Sequence, residues 1–181
     1  MVVRRLFHLF GAGHASTHSC SVDGRWVTLG GTCRRDEYGD TSDVMGGSSF
    51  VGAKGHPGPV LMDTLGWLDK RVLDVPERGG RFVLHPIEGH RSNLQVLRLG
   101  DGEHDYWLSY REPVGVDSFL ADHPSYTGGL SMYTDASDEG QILLDPVPGP
   151  GTVLTFGTGW TTPNGRYTIT VRRVGGADAQ V

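Results

Sequence analysis

The chain of 181 residues has no apolar run that approaches the roughly 18 residues of a membrane span. It also has no cluster of lysine and arginine. Lysine occurs only at Lys54 and Lys70, and the net charge is −5. Because proteins that bind nucleic acids usually show a basic patch, the sequence predicts neither a nucleic-acid partner nor a membrane partner.

Cysteine is equally scarce, with Cys20 and Cys33 alone. An even count at short spacing permits one disulfide, as is common in exported proteins. Closing a loop of about 15 residues would stabilise the fold by roughly 3 kcal/mol through chain entropy. Two unrelated buried thiols would give the same count. We expect the disulfide, because the surrounding stretch is loop-like and has little else to order it.

The composition is that of a globular chain rich in turns. Hydrophobic residues make up 37%, and the chain has 28 glycines and 10 prolines. Such a composition supports a packed core and favours short strands over long helices. The start, with Arg4 and Arg5 before a short apolar stretch, is similar to a signal peptide. We expect none, because His8 interrupts the apolar run.

The pattern changes near residue 70, which predicts two parts. Residues 1–69 are expected to hold two helices, over Val2–Phe10 and Pro59–Leu68, joined by a long polar loop. One strand is expected within that loop, over Arg25–Leu29. Gly11 and Pro59 support the helix boundaries, since Gly ends helices readily and Pro suits a first helical turn.

Residues 70–174 read as strands at the intervals typical of hairpins. In the segment 105–110, Tyr106 and Leu108 alternate with Trp107 and Ser109, as expected of a sheet with two different faces. The fold class is therefore α+β, with an antiparallel sandwich or barrel-like second part. Residues 175–181 are predicted to be a disordered tail. The predicted strands cover 71–75, 81–85, 94–99, 105–110, 129–133, 141–144, 153–156 and 166–174.

The segment with the clearest chemistry is HLFGAGH, from His8 to His14. A zinc site can take one histidine from the last turn of a helix, and a glycine bend can turn a second histidine towards the same ion. Met45 in a tight turn before Gly46 would add an apolar, polarisable floor. Taken alone, His8 and His14 would more often be ordinary surface or capping residues.

In order and spacing, these pieces resemble the metzincin pattern of a histidine-rich zinc motif followed by a Met-turn. The longer string is similar to the gametolysin-like branch of secreted zinc metallopeptidases and covers nearly the whole chain, from His8 to about Val174. A related branch of bacterial secreted metallopeptidases shares some of these features. The matching segments are Gly13-His14-Ala15, Glu37-Tyr38-Gly39-Asp40, Asp43-Val44-Met45-Gly46, Leu65-Gly66-Trp67-Leu68, Tyr106–Arg111 and Gln141–Asp145.

The chain departs from that family at two positions. The family's first zinc-binding histidine lies four residues before His8, where this chain has Arg4, and its general-base glutamate lies where this chain has Arg5. Arginine is a permanent cation with no acceptor lone pair, so it can neither bind zinc nor accept a proton. The family's preceding half-domain has no counterpart either. We expect a truncated or mis-started reading frame rather than a degenerate relative, although both account for the arginines.

The resemblance implies a partial metzincin lower subdomain, residues 1–69, with zinc as its cofactor. His8 and His14 would be metal ligands, Met45 the floor of the Met-turn, and Arg5 stands in place of the general base. His18 is an alternative third ligand if its segment is helical. The implied function is a secreted zinc metalloendopeptidase that cleaves extracellular proteins or peptides. This chain is expected to be inactive, since no residue can serve as the base. The alternative is a non-catalytic secreted β-sandwich binding or accessory module.

The remaining candidates have simpler interpretations. Asp40 and Asp43 are expected to be turn and cap residues. Tyr38 could stabilise an oxyanion, but a packing role is the expectation. The other histidines show no ligand spacing and are interpreted as surface residues: His56, His85, His90, His104 and His123.

Overall fold

A computed structural model describes most of the chain. It covers residues 2–23, 25–27, 32–47, 55–89, 93–102, 104–136, 140–147, 152–175 and 178–181. The prediction for His90 lies outside these residues, as does the end of the strand expected over Arg25–Leu29. Among the described residues, no helix has the length and apolar character needed to cross a membrane.

The described residues contain few helices and many short strands. The α-helices are α1 (Val2–Leu9), α2 (Pro59–Thr64) and α3 (Pro124–Thr127), and two 3₁₀ helices cover Asp69–Arg71 and Gly115–Asp122. The strands are β1 (Ala15–Val22), β2 (Arg25–Val27), β3 (Thr32–Asp36), β4 (Val72–Asp74), β5 (Val83–Leu84), β6 (Val96–Gly100), β7 (Asp105–Tyr110), β8 (Leu130–Asp135), β9 (Gln141–Leu144), β10 (Val153–Leu154), β11 (Gly159–Thr161), β12 (Thr168–Thr170), β13 (Arg173–Val174) and β14 (Ala179–Gln180).

One mixed sheet of nine strands dominates the described residues. Its main path is β2-β1-β9-β8-β7-β6-β4, with β3 paired to β1 and β10 paired to β8. The pairs β1–β9 and β4–β6 are parallel, and the other pairs in this sheet are antiparallel. The α+β class is therefore confirmed. The boundary expected at residue 69 falls within this sheet, because β1 precedes it and β9 follows it.

The alternation predicted for β7 is present, and both faces of that strand are covered. Tyr106 and Leu108 belong to a core cluster shared with the C-terminal strands, which includes Ile169. Trp107 packs on the opposite face in a cluster with Met62 of α2. Helix α2 and the C-terminal strands thus lie on opposite sides of the main sheet.

The prediction of a long polar loop after α1 is partly wrong, because β1 and β3 form an antiparallel pair in that stretch. Residues Cys20 and Cys33 lie opposite each other in that pair and form the predicted disulfide. Strand β1 was not predicted, because ASTHSCSV has no apolar alternation and its buried positions, such as Ala15 and Cys20, carry small side chains. The bond is consistent with folding in an oxidising compartment.

Three further boundaries differ from prediction. Helix α2 ends at Thr64, because Gly66 adopts a φ of 69° and closes the last turn. The strand expected over 166–174 is divided into β12 and β13. Within the stretch expected to be disordered, residues 178–181 are ordered: β14 pairs with both β13 and β5, and Ala179 is fully buried.

Candidate metal centre

Helix α1 ends in a Schellman motif that fixes the first histidine of the candidate site. Gly11 has a φ of 88°, its amide donates to the carbonyl of His8 (3.1 Å), and the Ala12 amide donates to that of Phe7 (3.1 Å). Glycine reaches this left-handed conformation without steric cost. The turn brings the Ala12 carbonyl to 2.8 Å from His8 Nδ1. A carbonyl only accepts, so Nδ1 carries the proton and Nε2 keeps its lone pair.

His14 lies between this turn and strand β1, and its ring is held by an acidic partner. Its Nδ1 donates to Glu37 Oε1 at 2.7 Å, from the segment that follows β3. The carboxylate selects the tautomer with a free Nε2. Histidines that bind metals almost always donate their other ring nitrogen to a carboxylate or a backbone carbonyl. His14 donates to a carboxylate, and His8 donates to a backbone carbonyl.

The two imidazole rings lie side by side. The ring centroids of His8 and His14 are 5.0 Å apart, with an angle of 77° between the planes. Two imidazoles bound to one tetrahedral zinc at Zn–N distances of about 2.1 Å have centroids roughly 5 Å apart. His8 is exposed and His14 half-buried, so the pair is open to solvent. The centroid spacing meets this requirement and is also that of an ordinary edge-to-face ring pair.

Met45 lies in a tight turn that supports the chain beside His14. It is fully buried, in a cluster that includes Ala12, Ala15 and Leu61. Its carbonyl accepts from the Ala15 amide at 3.2 Å. The next residue, Gly46, has no room for a side chain, because a Cβ would lie 1.6 Å from the Asp40 carbonyl oxygen. Met45 thus packs among the residues that flank His14.

Two buried carboxylates hold this turn together, as the sequence predicted for Asp40 and Asp43. Asp43 accepts from the Met45 amide (2.6 Å), the Gly58 amide (2.5 Å) and Gln141 Nε2 (2.7 Å). Burial, and then the charge of Asp40, raise the pKa of Asp43 to about 7. Burial likewise raises the pKa of Asp40. Asp43 ties the turn to α2 and to β9 of the main sheet.

Arg4 and Tyr38 occupy the remaining side of the histidine pair. The Tyr38 ring lies 4.5 Å from that of His14, and its hydroxyl is 3.4 Å from His14 Nε2. The guanidinium of Arg4 lies over the Tyr38 ring, 5.1 Å from its centroid. Arg4 Nε and Nη2 are buried and have no hydrogen-bond partner in the part of the chain that is described. A permanent cation is therefore held against Tyr38, the ring that contacts His14.

His18 does not lie on a helix, so the geometry on which its role as a third ligand depended is absent. It belongs to strand β1, opposite Arg35 of β3. Burial, and then the charge of Arg35, lower the pKa of His18.

A second group of ligand-type residues surrounds a buried arginine. One atom each from His56, Glu88 and Asp117 lies within 4.8 Å of the others, so this group could hold a metal ion. Arg111, fully buried, already binds Asp117 (2.6 Å) and Glu88 (3.4 Å) and donates to Ser42 Oγ (2.9 Å). Its positive charge opposes a second cation in the same space. His56 is partly exposed, but its Nδ1 lies 3.4 Å from Asp117, a contact that the sequence did not indicate.

Sequence reasoning missed the residues that support the site. Glu37 stands 23 positions after His14, and only the pairing of β1 with β3 brings the two together. Arg111 and Asp117 lie 69 and 61 positions from their respective partners Ser42 and His56. No short-range spacing in the sequence could have revealed these contacts.

No known protein family, curated protein or solved structure gives a match to this chain.

Proposed function

We propose that this chain carries two of the metal ligands of a zinc metalloendopeptidase of the gametolysin-like kind and that, as written, it binds zinc without cleaving peptides. The observation that supports this proposal is the pairing of His8 and His14, with centroids 5.0 Å apart. Each ring also donates from Nδ1 to a fixed acceptor, so both Nε2 atoms keep a lone pair for an ion. The Nε2 atom of His14 accepts from the Tyr38 hydroxyl at 3.4 Å, a contact that the ion would displace.

The chemistry of the lineage explains the expected lack of activity. A bound zinc ion lowers the pKa of its water to about 7 and polarises a peptide carbonyl. Hydrolysis then requires a base that accepts the proton and passes it to the leaving amine. Arg5 stands where that base is needed and cannot accept a proton. The substrates of the lineage would be extracellular proteins or peptides.

Arg4 further weakens the site. It stands where the family has its first zinc-binding histidine. Its guanidinium lies over Tyr38, beside His14. Coulomb repulsion between a guanidinium and a divalent ion opposes binding. The intact chain should therefore bind zinc more weakly than a site with three histidines.

Zinc titration calorimetry tests the binding part of the proposal. The wild-type chain should bind about one zinc ion per molecule, and both His8→Ala and His14→Ala should abolish binding. His104→Ala removes an imidazole from the β6–β7 connection and should have no effect. Binding that survives both histidine substitutions would contradict the proposal. A chain that binds no metal would favour the alternative of a secreted binding module.

Rebuilding the site tests the lineage. The double variant Arg4→His, Arg5→Glu restores the two missing groups one helical turn before His8, on the helix that already places Arg4 beside Tyr38. We expect its zinc affinity to rise at least about tenfold, because even an outer-shell partner of a metal ligand contributes that much and a ligand should contribute no less. Gelatin hydrolysis that a chelator abolishes should accompany it. Arg4→Gln, Arg5→Gln is the matched control, since it removes both charges without adding a ligand or a base.

A further inference from the structure

A cavity of about 280 Å³ lies against β6, β7 and β12, on the face of β7 opposite to helix α2. Its walls include the buried side chains of Leu97, Leu99, Leu108 and Ile169, and the aromatic rings of Phe82 and Tyr167 also line it. Leu97 and Leu108 are directly opposed on neighbouring strands. The wall formed by β6 and β7 is therefore aliphatic and held in place by strand pairing.

The cavity is partly open to solvent, and its buried leucine side chains give it an apolar wall. At roughly 30 Å³ per water in the liquid, this cavity has room for about nine. Apolar cavities of smaller size stay dry and bind apolar molecules. The cavity is therefore suited to the apolar part of a ligand.

Two arginines line the same cavity and give it a charge. Arg81 and Arg172 are both exposed, and neither forms an ion pair with any described residue. The described residues that line the cavity include no acid, and Asp178 and Glu77 pair with other arginines, Arg173 and Arg166. Within the described part of the chain, the two charges at this cavity therefore have no acidic partner.

We propose that this cavity binds a linear aliphatic monocarboxylate of medium chain length. The tail lies among Leu97, Leu99 and Leu108, and the carboxylate pairs with Arg81 and Arg172. Arginine forks suit carboxylates because two parallel N–H donors meet the two oxygens. The volume corresponds to about nine groups of water size, close to the ten non-hydrogen atoms of octanoate. This site is independent of the zinc proposal.

Titration calorimetry with sodium octanoate tests the proposal. One saturable site is expected, with octanol and octylammonium binding at least about tenfold more weakly because they lack the carboxylate that pairs with arginine. Lengthening the chain from hexanoate to octanoate should raise affinity, and lengthening it to hexadecanoate should bring no further gain in a cavity of fixed depth. Equal affinities for octanoate, octanol and octylammonium would overturn the proposal, as would the absence of saturable binding.

Variants at the arginines separate the cavity from unspecific binding. Arg81→Gln, Arg172→Gln should weaken octanoate binding at least about tenfold and leave octanol binding unchanged. Arg34→Gln, an exposed position of β3, is the matched control and should bind octanoate normally. Because the two arginines are exposed, their substitution preserves the core, and circular dichroism verifies the fold. Unchanged octanoate affinity in a folded double variant would refute the assignment.

Discussion

The Nδ1 atom of His14 donates to Glu37 Oε1 at 2.7 Å. Glu37 lies in the segment that follows β3, the strand that a disulfide links to β1. This contact sets the tautomer of the histidine and the direction of its ring. It makes Glu37 a positioning residue for the candidate metal centre. The proposed zinc site therefore depends on a long-range strand pairing as well as on the local HLFGAGH motif.

Replacing Glu37 should weaken zinc binding without unfolding the chain. Glu37→Gln keeps the size of the side chain but removes the charge that fixes the Nδ1–H tautomer of His14. Loss of such a partner typically lowers metal affinity by about 10- to 100-fold. Competition against a chromophoric chelator measures the change, and Glu77→Gln is an exposed control that should bind zinc normally. Equal affinity of wild-type and Glu37→Gln proteins would argue against the role assigned to this contact.

Removing the charge of Arg4 should strengthen zinc binding. Arg4→Met keeps much of the apolar side chain and removes the guanidinium that lies over Tyr38, the ring beside His14. Since salt screens charge repulsion, the gain in affinity should be larger at low ionic strength than at high. Zinc titrations at two salt concentrations measure it, with Arg34→Met as control. A decrease in affinity would mean that Arg4 supports the site instead of opposing the ion.

Asp43→Asn should destabilise the fold. Asp43 accepts three N–H groups, whereas an asparagine amide has only one acceptor oxygen and would place its own N–H₂ against donors. Leaving a buried donor unsatisfied costs about 1–3 kcal/mol. Urea unfolding should show a loss of that size, and the exposed Asp36→Asn should change little. A stability equal to that of the wild type would exclude the proposed bracing of the Met45 turn.

The contribution of Glu88 to stability should fall as the pH rises from about 5 to 8 and change little above that range. Burial is the largest cause that raises the pKa of Glu88 to about 8, with Asp117 adding to the effect. A carboxyl that keeps its proton when folded stabilises the protein fully below its unfolded pKa, and this contribution is lost as the pH passes through the folded value. Asp117 is ionised in both states across this range, because its pKa is lowered.

Glu88→Gln tests this pH dependence. A glutamine retains a donor towards Asp117 and cannot ionise, so the free energy of unfolding of this variant should vary less between about pH 5 and 8 than that of the wild type. Urea unfolding at several pH values measures both slopes. Identical slopes would show that Glu88 does not titrate in this range.

The features that could be predicted from sequence are those with a local physical cause. Gly11 ends α1 as expected because the left-handed conformation is intrinsic to glycine, and β7 alternates as expected because its side chains are large and differ between faces. Strand β1 was hidden, since its serines and threonines resemble a loop and only pairing with β3 and β9 orders them. The Arg111 network was hidden for the same reason: its partners meet only in the folded chain.

The ordered C-terminal residues are another feature that could not be predicted from the sequence. The sequence GGADAQV has the small, polar composition of a flexible end, but Ala179 is buried and β14 adds to β5. Edge pairing uses backbone hydrogen bonds, which any residue except proline supplies, so composition alone did not reveal it.

The central claim is that His8 and His14 bind one zinc ion through their Nε2 atoms, and nitrogen-15 NMR of the histidine side chains tests it most directly. On addition of zinc, the Nε2 resonances of these two residues should shift together and saturate at the same metal concentration, with both Nδ1 atoms remaining protonated and His18 and His104 unchanged. Shifts confined to other histidines, or at one ring of the pair only, would contradict the claim.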